Sequence, residues 1–152
     1  MSAIQIVSAA ARHRADWDTL YAGYAAFYRV TQTPEMRETV WGWIMDPAHE
    51  VNALIAENAA GHAIGLAHYR PFARPLAAST GGFLDDLFVS PEARGLRVGE
   101  ALIDALAEEG SRRGWSVIRW ITADDNYRAR TAYDRMAVRT MWITYDRKLQ
   151  PA

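Results

Sequence analysis

Cysteine is absent from the 152 residues. That excludes a disulfide scaffold, a thiolate zinc site and a cysteine nucleophile, and it suits a chain kept in a reducing cytosol. Long apolar runs are missing too: nowhere do about 18 consecutive apolar residues occur, so no helix of this sequence crosses a bilayer unaided. The stretch from Met1 to Ala10 is polar at Ser2, Gln5 and Ser8, unlike the apolar core of a secretory signal, and a cytoplasmic protein is expected. Charge of one sign is not in excess either. The 17 basic and 18 acidic side chains leave a net charge of -1, which argues against a protein that coats nucleic acid or an anionic membrane. No fixed-period repeat, low-complexity tract or Gly/Ser linker divides the chain, so residues 1–152 are expected to form a single domain. With 50% hydrophobic residues, a chain of this length buries roughly 70% of the surface its unfolded form exposes and needs no staple for its core.

What is present alternates between strand and helix patterns. Ile4 and Ile6 mark a short first strand. Trp17, Leu20, Tyr21, Tyr24, Phe27 and Tyr28 recur at helical spacing over 16–28, and Thr33-Pro34 offers a cap and a first-turn proline for a second helix through Ile44. Two β-like runs, 51–57 and 63–72, flank the turn signal Asn58-Ala-Ala-Gly61. Pro71 to Gly82, with two prolines and a Gly-Gly pair, reads as an internal loop, and Phe83 to Val89 as a third strand. Val98, Leu102, Ile103 and Leu106 share one face of a helix over 98–113, ended by Gly114. A strand over 117–122, a helix over 126–136 and a last strand region over 138–148 complete a mixed α/β sheet.

Chemistry concentrates where the third of these strands runs through an Arg- and Gly-rich turn into the amphipathic helix. First-turn amides lack intrahelical partners and the helix dipole adds partial positive charge, which suits a pyrophosphate. Gly95 and Gly99 let a ligand approach the backbone, and Arg94 and Arg97 supply charge; an ordinary strand-to-helix turn with solvated arginines is the plainer alternative. The spacing is neither Gly-x4-Gly-Lys-Ser/Thr nor Gly-x-Gly-x2-Gly.

Arg94-Gly95-Leu96-Arg97-Val98-Gly99 resembles the acetyl-CoA pyrophosphate loop, Gln/Arg-x-x-Gly-x-Gly/Ala, of the GCN5-related N-acetyltransferase (GNAT) superfamily. Asn126-x-x-Ala129-x-x-x-Tyr133 resembles its second motif, and the acidic pair in Leu84-Asp85-Asp86-Leu87-Phe88-Val89 is similar to diamine and polyamine (spermidine/spermine-type) acetyltransferases. Two departures stand out: Arg97 occupies the middle-glycine position, and Ala137-Val138 replaces the usual Gly-Phe.

The resemblance implies an α/β fold with a mixed, mostly antiparallel twisted sheet of about six or seven strands and about four helices. It implies an acetyl-CoA-dependent N-acetyltransferase, in which a primary amine of a small molecule attacks the thioester directly. Tyr133 is then the acid for the leaving thiolate, and Asp85 the base, directly or through water. The alternation of a strand lets Asp85 and its neighbour Asp86, the substrate-binding aspartate, reach one cleft only if a bulge intervenes. The coenzyme site implied comprises Leu87, Phe88 and Val89, the segment Arg94, Gly95, Leu96, Arg97, Val98, Gly99 and Glu100, and Asn126. Arg135 joins it by reaching a phosphate or else stays a solvated helix arginine. Tyr24, Phe27, Tyr28 and Trp41 are the implied acceptor wall, and a homodimer is implied.

Histidines 13, 49, 62 and 68 offer no metal pair at helical or turn spacing, and no metal is expected; His68 is the one to watch. Acetylation of a peptide N-terminus or lysine remains as an alternative within the enzyme class. A coenzyme-binding regulatory module without turnover is the alternative outside it.

Overall fold

The computed structural model describes residues 3–151, and within them two units, one running up to Ile121 and one from Thr122 onward. The first unit is built on a five-stranded sheet in the order β1-β2-β3-β4-β5. Strands β1 (Gln5–Ser8), β2 (Asn52–Glu57), β3 (Ala63–Arg74) and β4 (Ser79–Val89) are successively antiparallel, and β5 (Ile118–Arg119) joins β4 in parallel. The helices α1 (Arg14–Phe27) and α2 (Pro34–Met45) lie between β1 and β2 in the chain, and α3 (Val98–Arg112) between β4 and β5. Pro34 stands in the first turn of α2 and the Thr33 hydroxyl accepts the Met36 amide at 3.2 Å, so the cap read in the sequence is formed.

Adjacent residues of β3 show why helices cover both faces of the sheet. Leu66 is fully buried in a cluster with Trp17, Leu20, Trp41 and Ile55, from α1, α2 and β2. A Cβ on its neighbour Gly65 would come within 3.0 Å of Val98 and 3.3 Å of Leu102 on α3. Successive strand residues face opposite sides, so α1 and α2 lie on one face and α3 on the other.

Two sequence expectations are corrected. Pro71 to Gly82 is mostly strand: β3 continues to Arg74, β4 begins at Ser79, and only Pro75 to Ala78 turns. Gly81 and Gly82 are required by packing, since a Cβ on Gly81 would lie 2.7 Å from the Phe72 ring and one on Gly82 2.4 Å from the Trp115 ring. The sheet has five strands among the described residues instead of six or seven, because 138–148 forms no strand and β5 is two residues long. Among the described residues of the second unit, α4 (Tyr127–Met136) is the one regular element, followed by a segment whose Val138, Met141, Trp142, Ile143, Tyr145 and Leu149 are 74–94% exposed.

Candidate active site

The turn after β4 opens onto α3 with two left-handed residues, Gly95 at φ 88° and Arg97 at φ 58°. Arg97 is the N-cap of α3, so an L-residue adopts the conformation for which glycine is the usual occupant. The first intrahelical bond runs from the Ala101 amide to the Arg97 carbonyl at 3.0 Å, which leaves the amides of Val98 and Gly99 ahead of the ladder. The side chains of Arg94, Leu96 and Arg97 are exposed, Val98 is buried against β3, and Glu100 lies in the first turn, half-buried. A Cβ on Gly99 would only touch Leu87 and Val89, at 3.7 and 3.9 Å, and one on Gly95 would meet nothing within 4 Å. Packing therefore demands a glycine at neither position, although the φ of 88° calls for one at Gly95, and the open backbone with two arginines beside it fits a diphosphate.

Strand β4 adds a second opening. Its pairing with β5 is confined to Gly82–Ile118 and Phe83–Arg119. Beyond that point, from Leu84 through Leu87, Phe88 and Val89, the β5-facing edge of β4 runs free of a ladder among the described residues. Such an edge offers backbone donors and acceptors to an extended amide-bearing arm.

The two aspartates sit at a bulge. His68 pairs with Asp86 and Tyr69 with Leu84, so Asp85 is the extra residue of β4. Arg70 Nε donates to Asp85 Oδ2 at 3.1 Å, and His68 Nδ1 lies 2.8 Å from Asp86 Oδ2. His68 and Arg70 are two apart on β3 and share a face, so the bulge brings both carboxylates to that face, the one carrying α1. The condition set by strand alternation is thus met by a register shift.

Asp86 belongs to a network drawn from three elements. The Trp17 indole Nε1–H, from α1, donates to His68 Nε2 at 2.8 Å, and the Tyr21 hydroxyl donates to Asp86 Oδ2 at 3.0 Å. The indole nitrogen has only a proton to give, so His68 Nε2 is the acceptor and Nδ1 carries the ring proton toward Asp86. Burial works to raise the Asp86 pKa, but the hydrogen bond and electrostatic attraction of His68, with the hydrogen bonds from Tyr21 and Tyr24, outweigh it and hold the carboxyl below its ordinary value. The Tyr21 and Tyr24 hydroxyls are pushed up, first by burial and then by the Asp86 charge. Asp85 goes the other way: burial raises it, and the Arg70 guanidinium only partly offsets that.

The aromatic residues separate. Tyr24 stands edge-on to Phe88 and against Tyr28, with ring centroids 6.0 and 4.9 Å apart, beside the Asp86 network. Phe27 lies under the Arg94 guanidinium at 5.8 Å, which ties the end of α1 to the Arg- and Gly-rich turn. Trp41 is buried in the core against Trp17, with ring centroids 5.0 Å apart, and holds that residue from behind. Sequence reading missed Trp17, Tyr21 and Arg70 as site residues. The spacing Trp17, Tyr21, Tyr24 on one face of α1 was the available signal, but nothing local ties it to a strand some 50 residues away.

In the second unit, Asn126 is the N-cap of α4 and its Nδ2 lies 3.4 Å from the Thr122 hydroxyl. Tyr133 is half-buried one turn before the end of that helix, and Arg135 is exposed in its last turn.

A mixed sheet whose β4 edge opens beside an Arg- and Gly-rich helix start is an arrangement suited to a ligand that joins a diphosphate to an extended arm. The family model described as acetyltransferase (GNAT) family matches residues 17–137, most of the chain, and the protein belongs to that family. It is thus an N-acetyltransferase whose acetyl donor is acetyl-CoA. The chain is 29% identical over 132 residues to the D-amino-acid N-acetyltransferase HPA3 of Saccharomyces cerevisiae, covering 86% of this chain and 82% of that protein. Among solved structures, aminoglycoside N-acetyltransferase AAC(6')-Iy in complex with CoA matches with TM-score 0.83 and 21% identity, over 97% of this chain and 96% of that one. Ribosomal-protein-alanine N-acetyltransferase from Brucella melitensis matches with TM-score 0.77 and 22% identity, over 97% of this chain and all of that one. At these identities the structural matches establish the fold.

Proposed function

We propose that the protein acetylates a primary amine of a small cationic molecule: a diamine or polyamine, or an amino-acid-like amine such as the D-amino acids named for its yeast relative. The observation that carries the proposal is the bulge that brings Asp85 and Asp86 to one face beside the open edge of β4. Asp86 is the ammonium site, because it is an anion whose hydrogen-bond donors, imidazole N–H and phenol O–H, leave its charge uncancelled.

Bound acetyl-CoA supplies the activated acetyl thioester. Arg94, Arg97 and the amides from Gly95 to Gly99 hold its diphosphate, Leu87 and Val89 offer strand groups to its arm, and Asn126 bonds the arm. Asp85 takes the ammonium proton through a water and the freed nitrogen forms the bond to the acetyl carbon as the carbon–sulfur bond breaks; Tyr133 gives its hydroxyl proton to the departing thiolate and is reprotonated by the second proton that the nitrogen sheds on becoming an amide. A raised pKa favours Asp85 as that base, because it brings the carboxylate closer to the working pH. Tyr24, Tyr28 and Phe27 wall the acceptor side.

We also propose that the protein works as a homodimer in the cytoplasm. The exposed apolar run 138–149 has the β-branched and aromatic make-up of a strand, and the outer edge of β5 has no partner strand among the described residues.

Thiol release from acetyl-CoA across a panel of diamines, polyamines, D-amino acids and peptides tests the assignment. Tyr133→Phe is expected to lower kcat at least tenfold, about 1.4 kcal/mol of barrier, with coenzyme binding kept; unchanged turnover removes Tyr133. Asp86→Asn is expected to raise KM for cationic amines far more than for neutral peptide termini. Equal effects would favour the peptide alternative.

A further inference from the structure

The buried Trp17–His68 pair behind Asp86 has no part in the chemistry above, yet a histidine next to an aspartate that must stay negative is a hazard. A protonated imidazole 2.8 Å from Asp86 would neutralise the carboxylate that the acceptor's ammonium needs. Protonating His68 requires a proton on Nε2, because Nδ1 already carries the one shared with Asp86. That nitrogen is occupied: Trp17 Nε1–H points at it from 2.8 Å, and both rings are almost wholly buried.

We propose that Trp17 is a positioning residue that locks His68 as the neutral Nδ1–H tautomer, so that Asp86 keeps its full negative charge for the acceptor as pH falls through the imidazole range. The inference rests on the reading of Asp86 as the ammonium site. A second proton on His68 would have to displace the indole N–H, and no solvent reaches the ring to accept the displaced donor. The lock is local to one face of the sheet. The titratable groups facing the imidazole are Tyr21 from α1 and Asp85 and Asp86 from β4, with Tyr24 bonded to Asp86 and Arg70 to Asp85 beyond them. Strand β2 sets the uncharged Ala53 beside it, and α2 meets Trp17 through Trp41.

Two measurements decide it. Nitrogen-15 NMR of the imidazoles in the full chain is expected to show His68 as the Nδ1–H tautomer from pH 5.5 to 8, with no titration; an Nε2–H tautomer, or a ring that titrates in this window, overturns the lock without reference to any substrate. Binding of n-butyltrimethylammonium, a cation at every pH, is the second. In the parent its dissociation constant is expected to change less than twofold between pH 8 and 5.5. In Trp17→Phe, which frees Nε2, it is expected to weaken at least fivefold over the same interval. Protonation of Asp85 acts on both proteins alike and cancels in the comparison.

Because Trp17 is a core residue, His68→Asn is the companion variant. It keeps an N–H donor near the Nδ1 position and has nothing to titrate. Trp17→Phe combined with His68→Asn is expected to restore the flat profile, and a pH dependence that survives in the double variant overturns the inference. If the parent fails to bind the cation at any pH, the ammonium-site reading of Asp86 falls instead, and the NMR result still stands on its own.

Discussion

Arg97 holds φ 58° and ψ 33° at the start of α3, a conformation that costs an L-residue about 1–2 kcal/mol. Glycine would remove that cost while adding unfolded-state entropy, so Arg97→Gly is expected to stabilise the fold by about 0.5–1 kcal/mol, read as a higher melting temperature. The arginine side chain keeps a charge beside the proposed diphosphate site in return for this strain. A second residue-scale expectation concerns Glu57, whose carboxylate takes two N–H groups of Arg12 at 2.6 and 2.8 Å and is thereby held at about 2 instead of 4.5. For an acid with a lowered pKa, the stabilisation is complete above the ordinary value and disappears as the carboxyl protonates on descent. Urea midpoints should therefore fall between about pH 4.5 and 2, and Arg12→Gln should flatten that slope.

At the scale of elements, the same residue type has opposite meanings in two places. Gly82 on β4 exists because the Trp115 ring occupies its Cβ position at 2.4 Å, whereas a Cβ on Gly42 in α2 would meet nothing within 4 Å. Gly82→Ala is expected to destabilise by about 1–3 kcal/mol through overpacking. Gly42→Ala is expected to stabilise by up to about 1 kcal/mol through helix propensity. Denaturant titration of the two variants checks both signs. This is also where sequence reading stopped. Gly81 and Gly82 next to two prolines look like a loop, and only the rings of Phe72 and Trp115, placed by tertiary packing, turn them into strand. The helices fared better, because Thr33-Pro34 and the stripe Val98, Leu102, Ile103, Leu106 are signals within a few residues of what they specify.

For the whole molecule, the exposed run from Val138 to Leu149 makes the association state the property to measure. Sedimentation equilibrium is expected to give a dimer for the parent and a monomer for Trp142→Asp with Ile143→Asp; a monomeric parent would remove the dimer from the proposal. The cysteine-free chain allows a direct check of which surfaces meet. Mixing a chain that carries Ile121→Cys with one that carries Ile143→Cys should give a cross-linked pair.

The sequence by itself determined the family, the Arg- and Gly-rich turn 94–99 that opens α3 and the acidic pair on β4, because these are short-range patterns in which backbone geometry and charge follow from neighbouring residues. It also stated the condition for Asp85 and Asp86 to act together, a bulge, without showing how it is met. Tertiary structure alone decided the one-residue register shift between β3 and β4, the Arg70 partner of Asp85, and the assembly of Trp17, His68, Asp86 and Tyr21. Those contacts join residues 15 to 65 positions apart. Their partners are chosen by which faces a packed sheet brings together, and no local spacing encodes that choice.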